Sequence, residues 1–177
     1  MKTNITSLWS AALAVAFLTY SCSQAPKPPA AGEGAAPATE MPSVQEQNKK
    51  LAMDLLEAFN TRQFDKAAAF FSDDYVYHSV DSVRGPQKAV AYIKGFADVF
   101  DAKLQPLHLT AEGDLVSYHL SVTGRHIAPM GNVPPTNKDI NVESMGIFRM
   151  KDGKIAEEWE IFQEGKMMQQ LGLAPAQ

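Results

Sequence analysis

The stretch that decides the fold runs from Met130 to Glu160 and reads MGNVPPTNKDINVESMGIFRMKDGKIAEEWE. The Pro134-Pro135 pair has no N–H to donate to a sheet, so strand pairing can begin only after it. Further on, Asp152-Gly153 supplies residues that tolerate the positive φ of a two-residue hairpin turn. The stretch therefore predicts a loop followed by two antiparallel strands, residues 141–150 and 154–162.

The residues before this stretch predict three helices. Ser43 and Glu46 form a capping box that starts the first helix, and a second short helix is predicted over residues 65–71. Gly85-Pro86 opens the third, because proline is favoured in a first turn. The apolar faces of the first and third helices are predicted to be Val44, Leu51, Leu55, Ala58 and Phe59, and Ala89, Tyr92, Ile93, Phe96 and Phe100.

Strands make up most of the remainder of the chain. They are predicted over residues 75–78, 104–110 and 115–126, in addition to the hairpin. Helices that come first and antiparallel strands that follow are typical of an α+β domain. The fold class predicted is thus α+β, with three N-terminal helices packed on one face of a curved, mostly antiparallel sheet.

The amino end predicts export. Lys2 precedes an apolar run, residues 8–18, which is about half of the roughly 20 residues that a membrane-spanning helix needs. We therefore expect residues 1–21 to be a signal peptide. Cys22, the single cysteine of the chain, follows directly and is the expected lipidation site of a bacterial lipoprotein, the alternative being an ordinary secretory cleavage site near it. Either way we expect the mature protein to be exported, and in the first case anchored to the cell envelope by lipid alone.

Composition separates a linker from one domain. Residues 22–42 are rich in Ala, Pro and Gly, have no apolar periodicity and predict a flexible tether. Residues 43–177 have the length of one domain. Removing the signal peptide leaves 15 basic and 20 acidic side chains, because Lys2 is the one charged residue lost. This acidic balance, with no basic stripe, argues against a nucleic-acid partner.

Strand parity ranks candidate functional residues. On strand 115–126 the apolar face carries Val116, Tyr118, Leu120 and Val122, and counting by two places His126 on that face. An inward histidine is either a satisfied structural residue or a catalyst. In the last strand Glu157, Trp159 and Ile161 share a face, and a carboxylate beside a tryptophan in an apolar cleft would have a raised pKa suited to acid–base work.

Several short motifs follow one another along the domain: Tyr75-Val76-Tyr77-His78, Gly85-Pro86, Gly113-Asp114-Leu115-Val116, Thr123-Gly124-Arg125-His126, residues 130–136, Ile147-Phe148-Arg149, Asp152-Gly153-Lys154-Ile155 and Glu157-Glu158-Trp159. In this order they resemble the SnoaL-like polyketide cyclase family, whose members have the cone-shaped nuclear transport factor 2-like fold. The resemblance covers nearly all of the domain and implies a sheet wrapped around a pocket, a short terminal helix near Leu171-Gly172 and frequent dimers through the sheet.

The resemblance implies an intramolecular aldol condensation, with an acidic side chain as general acid and base and no cofactor or metal. Many relatives carry an acid at a position that is Gly146 in this sequence, so any chemistry must use another residue. Glu158 stands where relatives often have histidine; it is either a replacement acid or a solvated strand residue, and we favour the second. The candidate catalytic residues are His126, His78, Glu157 and Glu143.

A flat apolar ligand could lie against the aromatic side chains, although aromatic residues at helical spacing are equally typical of a core. The candidate ligand-pocket residues are Trp159, Tyr75, Tyr92, Phe96 and Tyr118. No histidine or cysteine spacing indicates a metal site. We expect His126, Trp159 and His78 to share one cavity. Two functions stay open: cofactor-free acid–base chemistry on a small apolar carbonyl compound, or non-catalytic capture of a small hydrophobic molecule by a dimeric accessory lipoprotein.

Overall fold

The computed structural model describes residues 41–78 and 82–174. The predicted signal peptide, Cys22 and nearly all of the predicted linker lie outside these residues. The elements are α1 (Val44–Asn60), α2 (Phe64–Ala67), a 3₁₀ turn (Ala68–Phe70), β1 (Phe71–His78), β2 (Val83–Arg84), α3 (Pro86–Phe100), β3 (Lys103–Glu112), β4 (Leu115–Arg125), β5 (Asp139–Lys151), β6 (Lys154–Phe162) and α4 (Glu164–Leu171).

The six strands form one sheet in the order β2-β1-β6-β5-β4-β3. All neighbouring strands are antiparallel except β1 and β6, which run parallel. Helix α1 packs on β3 and β4, α3 on β1 and α4 on β5. This arrangement confirms the predicted α+β class with a mostly antiparallel sheet.

The first helix begins as predicted. The Ser43 hydroxyl accepts a hydrogen bond from the Glu46 N–H at 3.3 Å, and the Glu46 carboxylate accepts one from the Ser43 N–H at 2.8 Å. Leu55, Ala58 and Phe59 are buried, but the prediction for Val44 is wrong, because its side chain is exposed. Asn48 bonds the carbonyl of Gly113 in the β3–β4 turn, so Val44, one turn earlier, projects beyond the end of the sheet.

The second helix is shorter than predicted, and the strand after it is longer. Phe71 ends the predicted helix 65–71 but begins β1 in the structure, where it is fully buried. Parallel pairing of Phe71 with Ile155 holds this residue in the sheet, and no local pattern signals a partner so distant in sequence. Strand β2 was not predicted either.

The predicted hairpin is confirmed as β5 and β6, with Asp152 and Gly153 at φ of 51° and 71° in its turn. The register contains one irregularity that matters for the site. Arg149 pairs with Glu157 whereas Met150 pairs with Ile155, so Ala156 is an extra residue that forms a β-bulge. Ile155 is buried on the inner face, and after the bulge Glu158, Glu160 and Phe162 face inward while Glu157, Trp159 and Ile161 face outward.

Candidate active site

A cavity of about 1000 Å³ lies between the inner face of the sheet and helices α1, α3 and α4. Its wall is mostly aromatic and aliphatic, and two of its three carboxylates come from β6. The aromatic lining residues are Phe59, Phe71, Tyr75, Tyr77, Tyr92, Phe96, Phe100, Tyr118, Phe148 and Phe162. A cavity of this size and character is typical of a small-molecule site.

Glu158 presents its carboxylate to this cavity and is held at both oxygens. The Tyr75 hydroxyl donates to Oε2 at 2.6 Å, and the Tyr118 hydroxyl donates to Oε1 at 2.8 Å. The two tyrosines come from β1 and β4, on either side of β6 and β5. Each oxygen keeps a free lone pair, so the carboxylate is positioned without losing the capacity to accept a proton.

Glu160 is the second inward carboxylate of β6 and has its own hydroxyl donors. The Tyr77 hydroxyl donates to its Oε2 at 2.8 Å, and the Ser144 hydroxyl donates to its Oε1. Tyr77 also packs against Tyr92 of α3, with ring centroids 5.3 Å apart. The site thus contains two neighbouring carboxylates, each bound by uncharged donors.

Burial and the negative charge of Glu160 raise the pKa of Glu158 to about 7, although the two tyrosine hydrogen bonds act in the opposite direction. Burial, together with the nearby carboxylates, also raises the pKa of Tyr75, Tyr77, Tyr92 and Tyr118 above the ordinary value for tyrosine. Near neutral pH, Glu158 can therefore exchange a proton readily while the tyrosines stay protonated as donors.

Gly146 leaves the space that this arrangement needs. It lies in β5 opposite both Tyr118 and Glu160. A Cβ at this position would overlap Oη and Cζ of Tyr118 and the carbonyl oxygen of Trp159. The Tyr118 ring thus crosses over Gly146 to reach Glu158, so the missing side chain at residue 146 is a condition for the tyrosine–carboxylate contact.

His126 points inward as predicted, but it does not line the cavity. It is fully buried behind Phe100, with ring centroids 5.3 Å apart, and its Nδ1 accepts a hydrogen bond from the Thr136 N–H at 3.2 Å. Its backbone bonds Asn137 and Lys138. These contacts fasten the loop between β4 and β5, as the structural interpretation of this histidine required. Among the described residues its Nε2 has no hydrogen-bond partner.

The prediction that His126, Trp159 and His78 share one cavity is wrong. His78 and Trp159 stack on the outer face of the sheet, with ring centroids 4.6 Å apart and an interplanar angle of 4°. Glu157 lies there too, with Oε2 at 2.9 Å from Nε2 of His78 and Oε1 at 3.0 Å from Nε of Arg149. Parity grouped Glu157 with Trp159 correctly, but the apolar Trp159 and Ile161 suggested the wrong face as the inner one.

The remaining predicted residues divide between the two faces. Glu143 lies on the outer face, where its Oε2 is 2.8 Å from Nε2 of His119, so it cannot act in the cavity. Tyr75, Tyr92, Phe96 and Tyr118 line the cavity. Their placement matches the prediction, and ligand binding by them stays a prediction.

The sequence interpretation missed five polar residues of the cavity: Glu158, which we favoured as solvated, and Glu160, Glu164, Tyr77 and Ser144. The one sequence signal for the correct face was Phe162, which shares the parity of Glu158 and Glu160, and the apolar Trp159 and Ile161 outweighed it. Within residues 41–78 and 82–174 no group of three or more His, Cys, Asp or Glu side chains is placed to hold a metal ion. No helix in that part of the chain is long and apolar enough to cross a membrane.

Comparison with known proteins identifies the class. Residues 50–171 match the SnoaL-like polyketide cyclase family, and the chain belongs to this family. Its members have the nuclear transport factor 2-like fold, which the sheet and helices of this chain share. The predicted family and fold are therefore confirmed.

Individual relatives and solved structures are consistent with this family. The chain is similar to the nogalonic acid methyl ester cyclase of Streptomyces nogalater, with 29% identity over 128 residues that cover 67% of this chain and 92% of the relative. It is also similar to the aklanonic acid methyl ester cyclase DnrD of Streptomyces peucetius, with 29% identity over 59% of this chain and 77% of the relative. Among solved structures, AclR from Streptomyces galilaeus matches with a TM-score of 0.66 and 25% identity, over 73% of this chain and 98% of AclR.

Because the pKa of Glu158 is raised, we expect the difference in stability between the wild type and a variant without this carboxylate to depend on pH. The folded value of this pKa, about 7, lies above its ordinary value of 4.5, so the folded state binds the proton more tightly and loses this advantage as pH rises from about 4.5 to 7. We expect E158Q to gain about 1 to 3 kcal/mol of unfolding free energy relative to wild type between pH 5 and pH 8. Urea denaturation at several pH values measures this difference.

The matched control is E157Q, which removes a carboxylate from the neighbouring outward position. The difference in unfolding free energy between E157Q and wild type should not change with pH in the way expected for E158Q. If the curves of E158Q and wild type stay parallel from pH 5 to pH 8, the pKa of Glu158 is not raised.

Proposed function

We propose that this protein is a cofactor-free acid–base enzyme of cyclase type, acting on a small apolar carbonyl compound with Glu158 as general base and acid. The observation that carries the proposal is the carboxylate of Glu158, held at both oxygens by Tyr75 and Tyr118 inside an aromatic cavity. Membership of the SnoaL-like polyketide cyclase family supports a cofactor-free reaction of cyclase type. The ester cyclases among its relatives support ring closure.

In the first step the ionised Glu158 removes a proton from a carbon next to a carbonyl group. The C–H electron pair moves into the enolate, and the proton stays on Glu158. A base whose pKa is near 7 is well matched to such a transfer at neutral pH. Tyr92 stays protonated on the wall of the cavity and supplies a hydroxyl donor that can stabilise the enolate oxygen as negative charge develops.

In the second step the enolate carbon attacks another carbonyl carbon of the same molecule and closes the ring. The alkoxide that forms takes the proton from Glu158, which regenerates the carboxylate. No atom or electron is gained or lost overall, so the reaction needs no co-reactant. The apolar walls of the cavity favour the folded substrate conformation that brings the two carbons together.

Glu160 has a separate role in this proposal. Its side chain points the same way as that of Glu158 from two residues further along β6, and its charge is one cause of the raised pKa of Glu158. It is therefore a positioning and tuning residue, and the proton that moves belongs to Glu158.

We also propose that the protein is exported and lipid-anchored through Cys22. The support is the sequence of residues 1–22, in which a basic start and a short apolar run precede the cysteine, with Ser21 directly before it. The predicted tether, residues 22–42, would separate an anchored domain from the membrane surface.

We further propose that two copies associate through the outer face of the sheet. This face exposes Met145, Ile147 and Ile161, at 57%, 38% and 80%. Met145 pairs with Ile161 across the β5–β6 ladder, so the exposed side chains form a continuous apolar surface. A surface of this kind is favourably covered by a second protein surface.

Turnover tests the catalytic proposal. Purified protein is incubated with nogalonic acid methyl ester and with aklanonic acid methyl ester in D₂O, and liquid chromatography with mass spectrometry follows ring closure and deuterium uptake next to the carbonyl groups. We expect E158Q to lower kcat/KM about 100-fold or more. We expect E160Q to move the pH midpoint of kcat/KM downward, because removal of a negative charge lowers the pKa of Glu158.

The control for turnover is E157Q, on the outer face of the same strand, which should keep the wild-type rate. Wild-type turnover by E158Q would contradict the role of Glu158. Binding of the esters with neither ring closure nor deuterium uptake would favour the non-catalytic ligand-binding alternative.

Lipidation is checked by expressing the full chain in a bacterium fed an alkyne-bearing fatty acid. We expect label on wild type and in the membrane fraction, and neither on C22A. Label that persists on C22A, or a wild-type protein found without label in the cytosol, would contradict the export proposal.

Self-association is checked by sedimentation velocity of wild type and I161E. A charge placed in the centre of the apolar surface should convert a dimer to a monomer without unfolding it, because residue 161 is exposed in the single chain. A wild type that sediments as a monomer at all accessible concentrations would contradict the dimer.

A further inference from the structure

The cavity carries negative charge that no basic side chain of its wall balances. Glu158, Glu160 and Glu164 line it, and none of its described lining residues is Lys, Arg or His. Two basic residues on elements that form the wall are engaged elsewhere: Lys94 pairs with Asp98, and Arg149 pairs with Glu157 and Asp114 on the outer side. Among the described lining residues the negative charge therefore has no basic partner, and a bound ligand can supply one.

The donors inside the cavity satisfy hydrogen bonds but do not neutralise charge. Tyr75 and Tyr118 bind Glu158, and Tyr77 and Ser144 bind Glu160, all through uncharged hydroxyl groups. A net negative charge in an apolar environment is unfavourable unless a cation compensates it. A bound anion would add to the charge, whereas a bound cation would offset it.

Aromatic faces on the helix side favour the same sign of ligand. Tyr92 packs beside Tyr77, and Phe96 contacts Phe162 edge to face at 5.7 Å between centroids. The faces of such rings attract organic cations. Tyr92 is 52% exposed and Glu164 is also exposed, so the half-open part of the wall presents an aromatic ring and a carboxylate to an approaching ligand.

We infer that the cavity selects its ligand by charge and that its preferred substrate is an amphipathic organic cation, an amine joined to an apolar carbonyl-bearing body. The ammonium group binds against Glu160 and the neighbouring rings, while the apolar body fills the remaining aromatic wall. This inference rests on the proposed function in placing the reacting carbon at Glu158.

The spacing along β6 sets the distance between the two groups of such a substrate. Glu158 and Glu160 are two residues apart on one face of a strand, so their Cα atoms are separated by about 7 Å. A substrate whose ammonium nitrogen meets Glu160 would present an acidic C–H to Glu158 at a similar distance from that nitrogen. The second carboxylate therefore both orients the ligand and adjusts the base.

Three probes that share a naphthalene ring and differ in charge distinguish the contribution of charge to binding from that of the apolar surface. They are 1-naphthylmethylamine, 1-naphthalenemethanol and 1-naphthoate. Isothermal titration of the purified protein at pH 8 and low salt measures their dissociation constants. We expect the amine to bind at least 10-fold tighter than the alcohol, and the alcohol at least 10-fold tighter than the carboxylate. Added NaCl should weaken the amine alone.

Variants locate the charge that is responsible. E160Q should weaken the amine about 10-fold and leave the alcohol within 2-fold, and E157Q on the outer face should change neither. E164Q, at an exposed position, should weaken the amine 2- to 3-fold, so the inference can be tested even if E160Q does not fold. If the alcohol or the naphthoate binds as tightly as the amine, or if none of the three probes binds, the inference is wrong.

These titrations need no turnover, so they test the class of ligand independently of the proposed catalytic activity. A preference for the amine in a protein that catalyses no ring closure would support the cationic ligand and contradict the proposed enzyme. Ring closure of uncharged esters by a protein without preference for the amine would support the proposed enzyme and contradict the cationic substrate.

Discussion

The β-bulge at Ala156 decides which side chains of β6 enter the cavity. Without the extra residue, the inward set that starts at Ile155 would continue through Glu157 and Trp159, and the carboxylates of Glu158 and Glu160 would face solvent. With it, two consecutive inward positions are acidic and are surrounded by tyrosines from β1 and β4. The chemistry of the site therefore depends on one inserted residue about 7 Å along the strand from the nearer carboxylate.

Gly146 of β5 leaves the space in which the Tyr118 side chain of β4 reaches Glu158 of β6. The phenol of Tyr118 reaches Glu158 only because residue 146, next to it in the sheet, has no side chain. Considered alone, Gly146 is a position at which the acid of many relatives is missing. In this structure the same glycine allows Tyr118 to hold the carboxylate of Glu158 on the neighbouring strand. The surrounding hydroxyls hold both acids in fixed orientations without the neutralisation that a lysine or arginine would bring.

Local signals allowed most of the fold to be predicted. The Ser43–Glu46 box, Gly85-Pro86 and Asp152-Gly153 are short-range patterns, and the structure begins α1, opens α3 and turns the last hairpin at those residues. The candidate site was predicted less well, because parity says which residues share a face and not which face is inside. Trp159 and Ile161 are apolar and point outward, whereas Glu158 and Glu160 are acidic and point inward, so the hydrophobic pattern of β6 indicated the reverse of its true orientation.

The parallel pairing of β1 with β6 joins the beginning of the domain to its end. Tyr75 and Glu158, and likewise Tyr77 and Glu160, are 83 residues apart in the chain. Contacts of such sequence separation close a long loop and form late, after local helices and hairpins. A nascent chain that ends before β6 therefore contains every tyrosine of the site but neither carboxylate, and the site is complete only when the β5–β6 hairpin pairs with β1.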